Sequence, residues 1–272
     1  MSHIIPLSAG FLDRAAPSTD PMYLGFVKGR VLIADEDLFW GQKDEQGVAA
    51  YLGTFAGRAI FAQDLSHLPN PPGDPTDLWL LPQTLRAEDI ALACQGQHLL
   101  RWHNKNPLCA QCGCATTPKN WGRQRQCATC ETDLYPRTDP AVIMLVQSPD
   151  LQRVLLAHTH VMPAGLHSLL AGYVEPGETL EDTVRRETWE EAGVEVTDIT
   201  YRASQPWALS GSLMCGFTCI ATSETLNIDP EELENAHWFS RQDLNRLRQD
   251  PTFIFPRRNT IARHLLDLWL KS

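Results

Sequence analysis

The sequence predicts an α+β protein built from three parts, and three local patterns carry this prediction. Short apolar runs between Met22 and Leu65, two cysteine pairs with the spacing CxxC, and strand-like segments followed by an acidic helix occur in that order along 272 residues. We therefore expect an N-terminal, mainly antiparallel α+β domain over residues 1–106, a small cysteine-rich ribbon over 107–136, and a C-terminal domain of strands and helices over 137–272.

The net charge and the distribution of apolar residues argue against two classes of protein, those that bind nucleic acid as their main task and those that span a membrane. The formal net charge is -10, which argues against a protein whose main task is gripping nucleic acid through its phosphates. An anionic substrate would need metal ions or a local basic patch. The first ten residues lack a basic segment followed by an apolar one, and no apolar run approaches the ~20 residues of a membrane span. We expect a soluble, cytoplasmic protein with no membrane partner.

The N-terminal part predicts a small antiparallel sheet, because its apolar runs are separated by glycine and charged residues. The runs are "MYLGFV", "RVLIAD", "AAYLGTF" and "RAIFAQ". "NPPGDPTD", residues 70–77, is predicted as a loop from its composition. A helix is expected at about Glu88 to Asn104, and Pro107 closes this part because the residue before a proline disfavours helix.

The next segment, "CAQCGCATTPKNWGRQRQCATC", contains two CxxC pairs on either side of a polar loop. The paired residues are Cys109, Cys112, Cys127 and Cys130. Four thiolates fill a tetrahedral zinc shell and leave no position for water, so a structural Zn²⁺ is predicted. A redox dithiol or an unligated pair explains one CxxC but not two. Cys114 is an alternative to Cys112 as a ligand, and the cysteines outside the pairs are interpreted as free thiols.

The C-terminal part begins with "AVIMLVQ" and "RVLLAH", which predict a hairpin across a polar turn, and "SLLAGYV" predicts another strand. Thr179 and Asp182 have the spacing of a capping box. A helix is expected from about Leu180 to Ala192, and Gly193 suits the left-handed conformation that ends helices.

This helix has an unusual acidic face. At ~100° per residue, Glu187 and Glu191 fall within about 20° of Leu180, on the inward side, and Glu190 borders that side. An acidic run on a helix is usually a solvated face. Here, however, neighbouring carboxylates on a half-buried face would repel and lose hydration unless a positive group compensates them. A hard divalent cation, Mg²⁺ or Mn²⁺, is the natural compensator.

The segment resembles the signature of the Nudix hydrolases, which cleave nucleoside diphosphates linked to another group. The residues that match are Gly172, Glu178, Arg186, Glu187, Glu190, Glu191 and Gly193. Thr188 departs from the pattern, where the family usually has an aliphatic residue. The resemblance implies a Nudix fold, an α–β–α sandwich around a mixed sheet.

"SQPWALSGSLM", Ser204 to Met214, resembles the marker of the NADH pyrophosphatases within that family, which commonly reads SQPWPFPxSLM. The middle departs from it, since Ala208, Leu209 and Ser210 replace Pro, Phe and Pro. A zinc ribbon and "YPRTDP" also belong to this group. The resemblance covers roughly Leu99 to the C-terminus.

The resemblance implies roles for individual residues. Its metal set for Mg²⁺ or Mn²⁺ is the Ala171 carbonyl with Glu187, Glu190, Glu191 and Glu232. Arg186 joins the three helical glutamates as a catalytic residue that orients them. Its substrate set is Tyr135, Tyr173, Gln205, Pro206, Trp207, Ala208, Leu209, Ser210, Gly211, Ser212 and Ala262, with Tyr173 stacking on a base.

The implied reaction converts NADH or NAD⁺ and water into (reduced) nicotinamide mononucleotide and AMP. Removal of NAD caps from RNA stays open if Lys119, Arg123 and Arg125 form a local basic patch. Two different functions also fit the resemblance. One is a broader Nudix hydrolase acting on ADP-ribose or dinucleoside polyphosphates, and the other is a catalytically weak nucleotide-binding regulator.

Three histidines and one exposed tryptophan remain to be interpreted. His158, His160 and His167 are irregularly spaced, so we expect exposed or core histidines rather than a metal cluster. Trp189, on the outward face of the helix, predicts a partner surface, and we expect a homodimer.

Overall fold

The computed structural model describes residues 12–13, 20–81, 84–208 and 210–272. Within them the chain forms two compact units. The N-terminal unit contains the described residues up to Thr138 together with those of Trp207–Gly211, and the C-terminal unit contains Asp139–Pro206 and Ser212–Ser272. The further division of the first 138 residues at position 106 stays a prediction.

The N-terminal unit has a seven-stranded sheet. Its strands are β1 (Pro21–Val27), β2 (Arg30–Ala34), β3 (Asp37–Leu38), β4 (Trp40–Gly41), β5 (Ala49–Phe55), β6 (Arg58–Asp64) and β7 (Asp74–Thr76). The main path runs β3-β2-β1-β6-β5, with β4 on β1 and β7 on β2. All pairs are antiparallel except β1 with β6. The mainly antiparallel domain is confirmed, with one parallel pair that the sequence did not predict.

Helix α1 (Ala87–Lys105) covers this sheet, and its Leu92, Ala93 and Leu100 share a buried core with strand residues. The helix matches the expected bounds to within one residue. The expected loop over residues 70–77 is wrong in one part, because three of its residues form β7 and pair with β2. A short edge strand tolerates Pro75, since an edge position leaves one side of the backbone unpaired.

The cysteine-rich segment forms a three-stranded antiparallel sheet in the order β10-β9-β8. The strands are β8 (Thr116–Lys119), β9 (Gln124–Cys127) and β10 (Asp133–Leu134). A 3₁₀ turn, Asn120–Gly122, joins the first two strands. Gly122 has φ +78°, and a Cβ there would overlap the Ala49 carbonyl of β5. This close approach packs the ribbon against the N-terminal sheet within one unit.

The C-terminal unit has a six-stranded mixed sheet. Its strands are β11 (Asp139–Gln147), β12 (Arg153–Thr159), β13 (Leu170–Tyr173), β14 (Val196–Trp207), β15 (Ser212–Ala221) and β16 (Leu233–Ser240). The order is β14-β15-β11-β12-β16, and β13 pairs with β11. The pair of β11 with β15 is parallel, whereas β11 pairs antiparallel with β12 and β13. The expected hairpin and mixed sheet are confirmed.

Helices lie on both faces of this sheet: α2 (Leu180–Ala192), α3 (Arg241–Leu247) and α4 (Ile261–Lys271). Alternate residues of β11 enter two different cores. Val142 and Met144 pack with Val184 of α2, whereas Ile143 and Leu145 pack with Leu265 of α4. This arrangement is the expected α–β–α sandwich, and it gives the sheet an α2 face and an α4 face.

In the described part of the chain, no helix is long and apolar enough to cross a membrane.

Candidate active site and cysteine cluster

Helix α2 is fixed at both ends by local signals. The Thr179 side chain accepts a hydrogen bond from the Asp182 backbone N–H, and the Asp182 carboxylate accepts one from the Thr179 N–H. Gly193 adopts φ 68° at the other end, and its N–H donates to the Trp189 carbonyl. The capping box and the glycine stop are both confirmed, so the phase of the acidic residues on the helix is set.

The acidic residues of α2 divide as the helical angles predict. Glu187 is 8% exposed and Glu191 is 5% exposed, whereas the Glu190 side chain is 52% exposed. Thr188, the departure from the family pattern, is fully buried, and its hydroxyl donates to the Val184 carbonyl at 2.6 Å. The threonine is therefore accommodated, because its polar group has a partner within the helix.

Strand β13 brings backbone against these carboxylates. A Cβ at Gly172 would overlap the Glu187 carboxylate, so only glycine leaves room for this side chain. The neighbouring Ala171 backbone N–H donates a hydrogen bond to the Glu191 carboxylate. Strand β13 therefore lies close enough to α2 for its backbone to contact both glutamates. A residue with a Cβ at position 172 would prevent this close approach.

The carboxyl groups of Glu187 and Glu191 have raised pKa values, because they are buried and close to other acidic groups. Burial, followed by the charges of Glu187 and Glu232, raises the pKa of Glu191 from 4.5 to about 8. Burial also raises the pKa of Glu187, against the opposing effect of Arg186. Glu232 lies at the turn before β16, where its backbone N–H donates to the Asp229 carbonyl. Carboxylates with raised pKa values gain most from a cation, because it favours their charged form.

Arg186 is the organising cation in this region. Its guanidinium donates to Glu178 at 2.6 and 2.9 Å, to Glu187 at 2.8 Å and to Glu190 at 2.9 Å. It also donates to the Tyr173 carbonyl at 2.9 Å. The paired arginine lowers the pKa of Glu178 to about 2. Such charge-assisted bonds orient side chains more strongly than neutral ones, which agrees with the orienting role expected for Arg186.

The donor chemistry of this region fits a hard divalent cation. Glu187, Glu190, Glu191 and Glu232 supply only oxygen ligands, which Mg²⁺ and Mn²⁺ prefer. Among the described residues, no three acidic side chains bring their oxygens within 4.8 Å of one another. Arg186 donates hydrogen bonds to two of them, Glu187 and Glu190. A cation would compete with Arg186 and draw the carboxylates together.

Residues of the implied substrate set occupy two places in the C-terminal unit. Tyr173, Ser212 and Ala262 belong to the α4 side of the sheet, where Tyr173 is 52% exposed and Ala262 is buried on α4. Gln205 is fully buried: its amide donates to the Asn259 carbonyl and accepts from the Ile261 N–H, both at 2.8 Å. Gln205 therefore holds the start of α4, an anchoring contact that its sequence position did not indicate.

The remaining substrate residues lie in or near the altered loop. Pro206 and Ser210 are exposed, Trp207 and Gly211 are half-buried, and Ala208 is buried. Leu209 lies outside the described residues. Gly211 has φ +87°, and its N–H donates to the Trp207 carbonyl at 2.9 Å, which closes the loop into a tight turn. Tyr135, in the N-terminal unit, is 64% exposed.

Met214 lies beside these residues in the sheet, a position that the sequence did not single out. It pairs with Ala141 of β11, directly opposite the position where Tyr173 pairs on the other side. Its place two residues after Ser212 in a strand is the signal that would have found it, because alternate strand residues share a face.

The four paired cysteines form one cluster. The sulfur atoms of Cys109, Cys112, Cys127 and Cys130 all lie within 4.8 Å of one another, and three of the separations are 3.5 to 3.6 Å. A tetrahedral zinc with bonds of about 2.3 Å separates its sulfur ligands by about 3.8 Å. The cluster therefore fits Zn²⁺. Cys114 is outside the group, and its carbonyl accepts from the Cys109 N–H, which settles the choice in favour of Cys112.

The basic patch considered for RNA binding is wrong. Arg125 is buried, and its guanidinium donates to Thr116 and contacts the His103 Nδ1 at 3.0 Å. Arg123 lies over the Tyr51 ring at 4.4 Å. Only Lys119 of the three is exposed. The two arginines tie the ribbon to the N-terminal sheet and helix.

His158, His160 and His167 have the ordinary surroundings of exposed or core histidines. His158 is buried and its Nδ1 contacts the Leu166 carbonyl at 2.7 Å. His167 stacks on Phe253 with ring centroids 4.7 Å apart. The His160 Nε2 contacts the Pro230 carbonyl at 2.9 Å. Each ring has an ordinary partner, and the three do not form a group of metal ligands in the described residues.

Comparison with known proteins identifies this arrangement. The family model described as "NUDIX domain" matches residues 137–263. These residues are a Nudix domain. The match contains the whole acidic helix, β13 and the turn that carries Glu232, so the resemblance drawn from the signature is confirmed. The sandwich of α2, the mixed sheet and α4 is accordingly the Nudix fold.

Two similar proteins align with more of this chain than the Nudix domain alone. "Nudix hydrolase 19, chloroplastic" of Arabidopsis thaliana is 45% identical over 166 residues, which cover 58% of this chain and 38% of that protein. "NAD-capped RNA hydrolase NUDT12" of Pongo abelii is 37% identical over 199 residues, 69% of this chain and 43% of that protein. The chain thus spans less than half the length of these two relatives.

A solved Nudix hydrolase from Nitrosomonas europaea is also similar, with 22% identity and a TM-score of 0.44 over 54% of this chain and 96% of that one.

Proposed function

We propose that this protein hydrolyses the diphosphate bond of NADH or NAD⁺, releasing (reduced) nicotinamide mononucleotide and AMP, with Mg²⁺ or Mn²⁺ as the catalytic ion and Zn²⁺ as a structural ion. A cytoplasmic location and a homodimer, both predicted from the sequence, belong to this proposal. The competing substrates all contain a phosphoanhydride bond and differ in the length of the phosphate chain or in the group attached to it.

The buried carboxylate pair carries the proposal. Glu187 and Glu191 are 8% and 5% exposed, and the pKa of Glu191 is raised to about 8. Burying two carboxylates side by side destabilises the fold unless a cation is taken up. A purely structural helix would place apolar residues here, so this cost favours a catalytic function over a nucleotide-binding regulator.

Each residue of the site has a distinct task in this reaction. A bound divalent ion would polarise the diphosphate oxygens and lower the pKa of an attacking water. Glu187, Glu190, Glu191 and Glu232 would hold that ion, and the Ala171 carbonyl would add a neutral ligand. Arg186 keeps Glu187 and Glu190 oriented, and a glutamate of the cluster takes the proton from the attacking water.

The altered loop bears on which substrate is preferred. Where the NADH pyrophosphatases commonly have Pro, Phe and Pro, this chain has Ala208, Leu209 and Ser210. Two prolines restrict a loop, and a phenylalanine offers a ring face that leucine lacks. We infer that NADH is hydrolysed with modest discrimination against NAD⁺, ADP-ribose and dinucleoside polyphosphates.

Hydrolysis of NAD-capped RNA is the second candidate, and the name of the Pongo abelii relative favours it. The protein has a formal charge of -10, and two of the three ribbon cations are engaged in internal contacts. RNA binding without a basic surface is weak and strongly dependent on salt. The free dinucleotide is therefore the substrate we propose first.

A substrate panel tests this assignment. NADH, NAD⁺, ADP-ribose, diadenosine tetraphosphate and a short NAD-capped RNA are compared by kcat/KM at fixed Mn²⁺, with the products identified by mass spectrometry. The combined change of Ala208→Pro, Leu209→Phe and Ser210→Pro should sharpen selectivity for NADH. A clear preference for a substrate without nicotinamide would overturn the assignment and leave the Nudix chemistry intact.

A further inference from the structure

His160 is an exposed histidine that directly follows β12, and it contacts the turn that carries Glu232. Its Nε2 lies 2.9 Å from the Pro230 carbonyl oxygen, and Glu232 comes two residues after that proline. A carbonyl oxygen only accepts hydrogen bonds, so we assign a proton to Nε2, which donates it. The imidazole therefore ties the end of β12 to the turn before β16.

A carboxylate on β16 contacts the other nitrogen of the ring. The Glu234 Oε1 lies 3.3 Å from the His160 Nδ1, and its Oε2 lies 3.5 Å from the Nε2 of the buried His158. The register of β12 and β16 shifts here, and the strand pairing passes over Glu234. Such a bulge re-aims a side chain. With contacts at both ring nitrogens, the orientation of His160 is fixed although its side chain is half exposed.

The same turn is also bonded to the acidic helix. The Asp229 N–H donates to the Glu191 carbonyl of α2 at 3.0 Å, and the Asp229 carbonyl accepts from the Glu232 N–H at 3.2 Å. The charge of Glu232 raises the pKa values of Glu187 and Glu191, so its carboxylate lies near theirs. The turn is thus held by α2 on one side and by the histidine on the other.

We propose that His160 is a positioning residue of the carboxylate cluster, which holds the turn, and through it Glu232, in place to bind the divalent ion. Glu232 is exposed, and an exposed segment that must be ordered when a ligand binds weakens that binding. A hydrogen bond that orders the turn beforehand reduces this cost. The histidine acts through the backbone and not as a ligand. This inference rests on the proposed function, because it takes Glu232 as a ligand of the ion.

Two amides of different length test the role of the hydrogen bond. In His160→Gln the amide nitrogen is as many bonds from Cβ as Nε2 is, so it can donate to Pro230, whereas in His160→Asn it is one bond too short. His160→Asn should weaken Mn²⁺ binding by about three- to tenfold, the range expected for one lost hydrogen bond, and His160→Gln should bind Mn²⁺ like the wild type. Affinity is measured on zinc-loaded protein without substrate, from the electron paramagnetic resonance signal of free Mn²⁺. His237→Asn is the matched control, because His237 is an exposed histidine of β16, and it should leave the affinity unchanged.

A double variant shows whether the histidine acts through Glu232. Glu232→Gln should itself weaken Mn²⁺ binding, and adding His160→Asn should cause no further loss, because the turn then has no ligand to position. A purely structural effect of His160→Asn would instead add to that of Glu232→Gln. Full additivity, a wild-type affinity in His160→Asn, or an equal loss in His160→Gln would overturn the inference.

The Mn²⁺ affinities separate the failure of this inference from the failure of the proposed function. If the wild type hydrolyses NADH and His160→Asn binds Mn²⁺ as tightly as the wild type, the positioning role is wrong and the function stands. If the wild type binds Mn²⁺ but hydrolyses none of the substrate panel, the function is wrong, and the affinities of the variants still decide the role of His160.

Discussion

Replacing Glu191 by glutamine should stabilise the protein whenever no divalent cation is supplied. Glu191 is buried, and its pKa is raised from 4.5 to about 8, first by burial and then by Glu187 and Glu232. A carboxyl group with a raised pKa binds its proton more tightly in the folded state than in the unfolded state. Stability is therefore present at low pH and falls as the pH rises from about 4.5 towards 8.

The size of the effect follows from the shift. Each unit of pKa is worth ~1.4 kcal/mol, so at pH 7 the wild type should have lost about 3 kcal/mol relative to pH 4. Glutamine has the same shape as glutamate and no charge, so Glu191→Gln should escape this loss. The matched control is Glu181→Gln, which changes an exposed glutamate on the first turn of the same helix and should alter stability by less than about 0.5 kcal/mol.

Urea unfolding of the wild type and both variants, near pH 5 and near pH 8, is the assay. The divalent cation should be removed by desalting rather than by a chelator, because a chelator would also strip zinc from the four cysteines. Adding Mg²⁺ at ~100 times its dissociation constant should then stabilise the wild type by about 2.7 kcal/mol and Glu191→Gln by less. A wild-type stability that does not fall with pH, or an equal fall in Glu191→Gln, would refute the reasoning.

Three other changes test separate features of the protein. Gly172→Ala should displace the Glu187 carboxylate and lower kcat/KM by about a hundredfold. The melting temperature should change little, because the displaced group is the flexible end of a side chain. Unchanged kinetics would contradict this prediction. Cys127→Ser should lower both the melting temperature and the zinc content, which should be about one ion per wild-type chain; wild-type protein purified without chelator and lacking zinc would count against the cluster. Burial, reinforced by Arg125, lowers the pKa of His103 from 6.5 to about 4. The contribution of His103 to stability should therefore fall by about 2 kcal/mol between pH 7 and pH 5 in the wild type and be absent from His103→Gln, and identical pH profiles of the two proteins in urea would rule this out.

The acidic helix could be predicted from the sequence almost residue by residue. Its start depends on Thr179 and Asp182 and its end on Gly193, and such signals act through neighbours in the chain. The inward positions of Glu187 and Glu191 follow from helical geometry alone. The cysteine cluster was equally accessible, because four thiols at that spacing leave few arrangements.

Features that depend on distant partners could not be predicted. Arg125 has the sequence context of a surface cation, but its partner His103 is 22 residues away and on another element. The parallel pairing of β1 with β6 is decided by the path of the chain and not by the composition of either strand. The strand β7 contains Pro75 and forms because β2 offers it a free edge. Gln205 belongs to a motif that suggests substrate contact, yet it anchors α4.

The most direct test of the catalytic centre is the formation of AMP and reduced nicotinamide mononucleotide from NADH, followed by liquid chromatography and mass spectrometry at fixed Mn²⁺. Wild type and Glu181→Gln should release the two products in equal amounts and at similar rates. Glu191→Gln, although folded and more stable without the cation, should be slower by about a hundredfold or more. Wild-type rates in Glu191→Gln, or cleavage of NADH at a bond other than the diphosphate, would contradict the assignment of the carboxylate cluster as the catalytic centre.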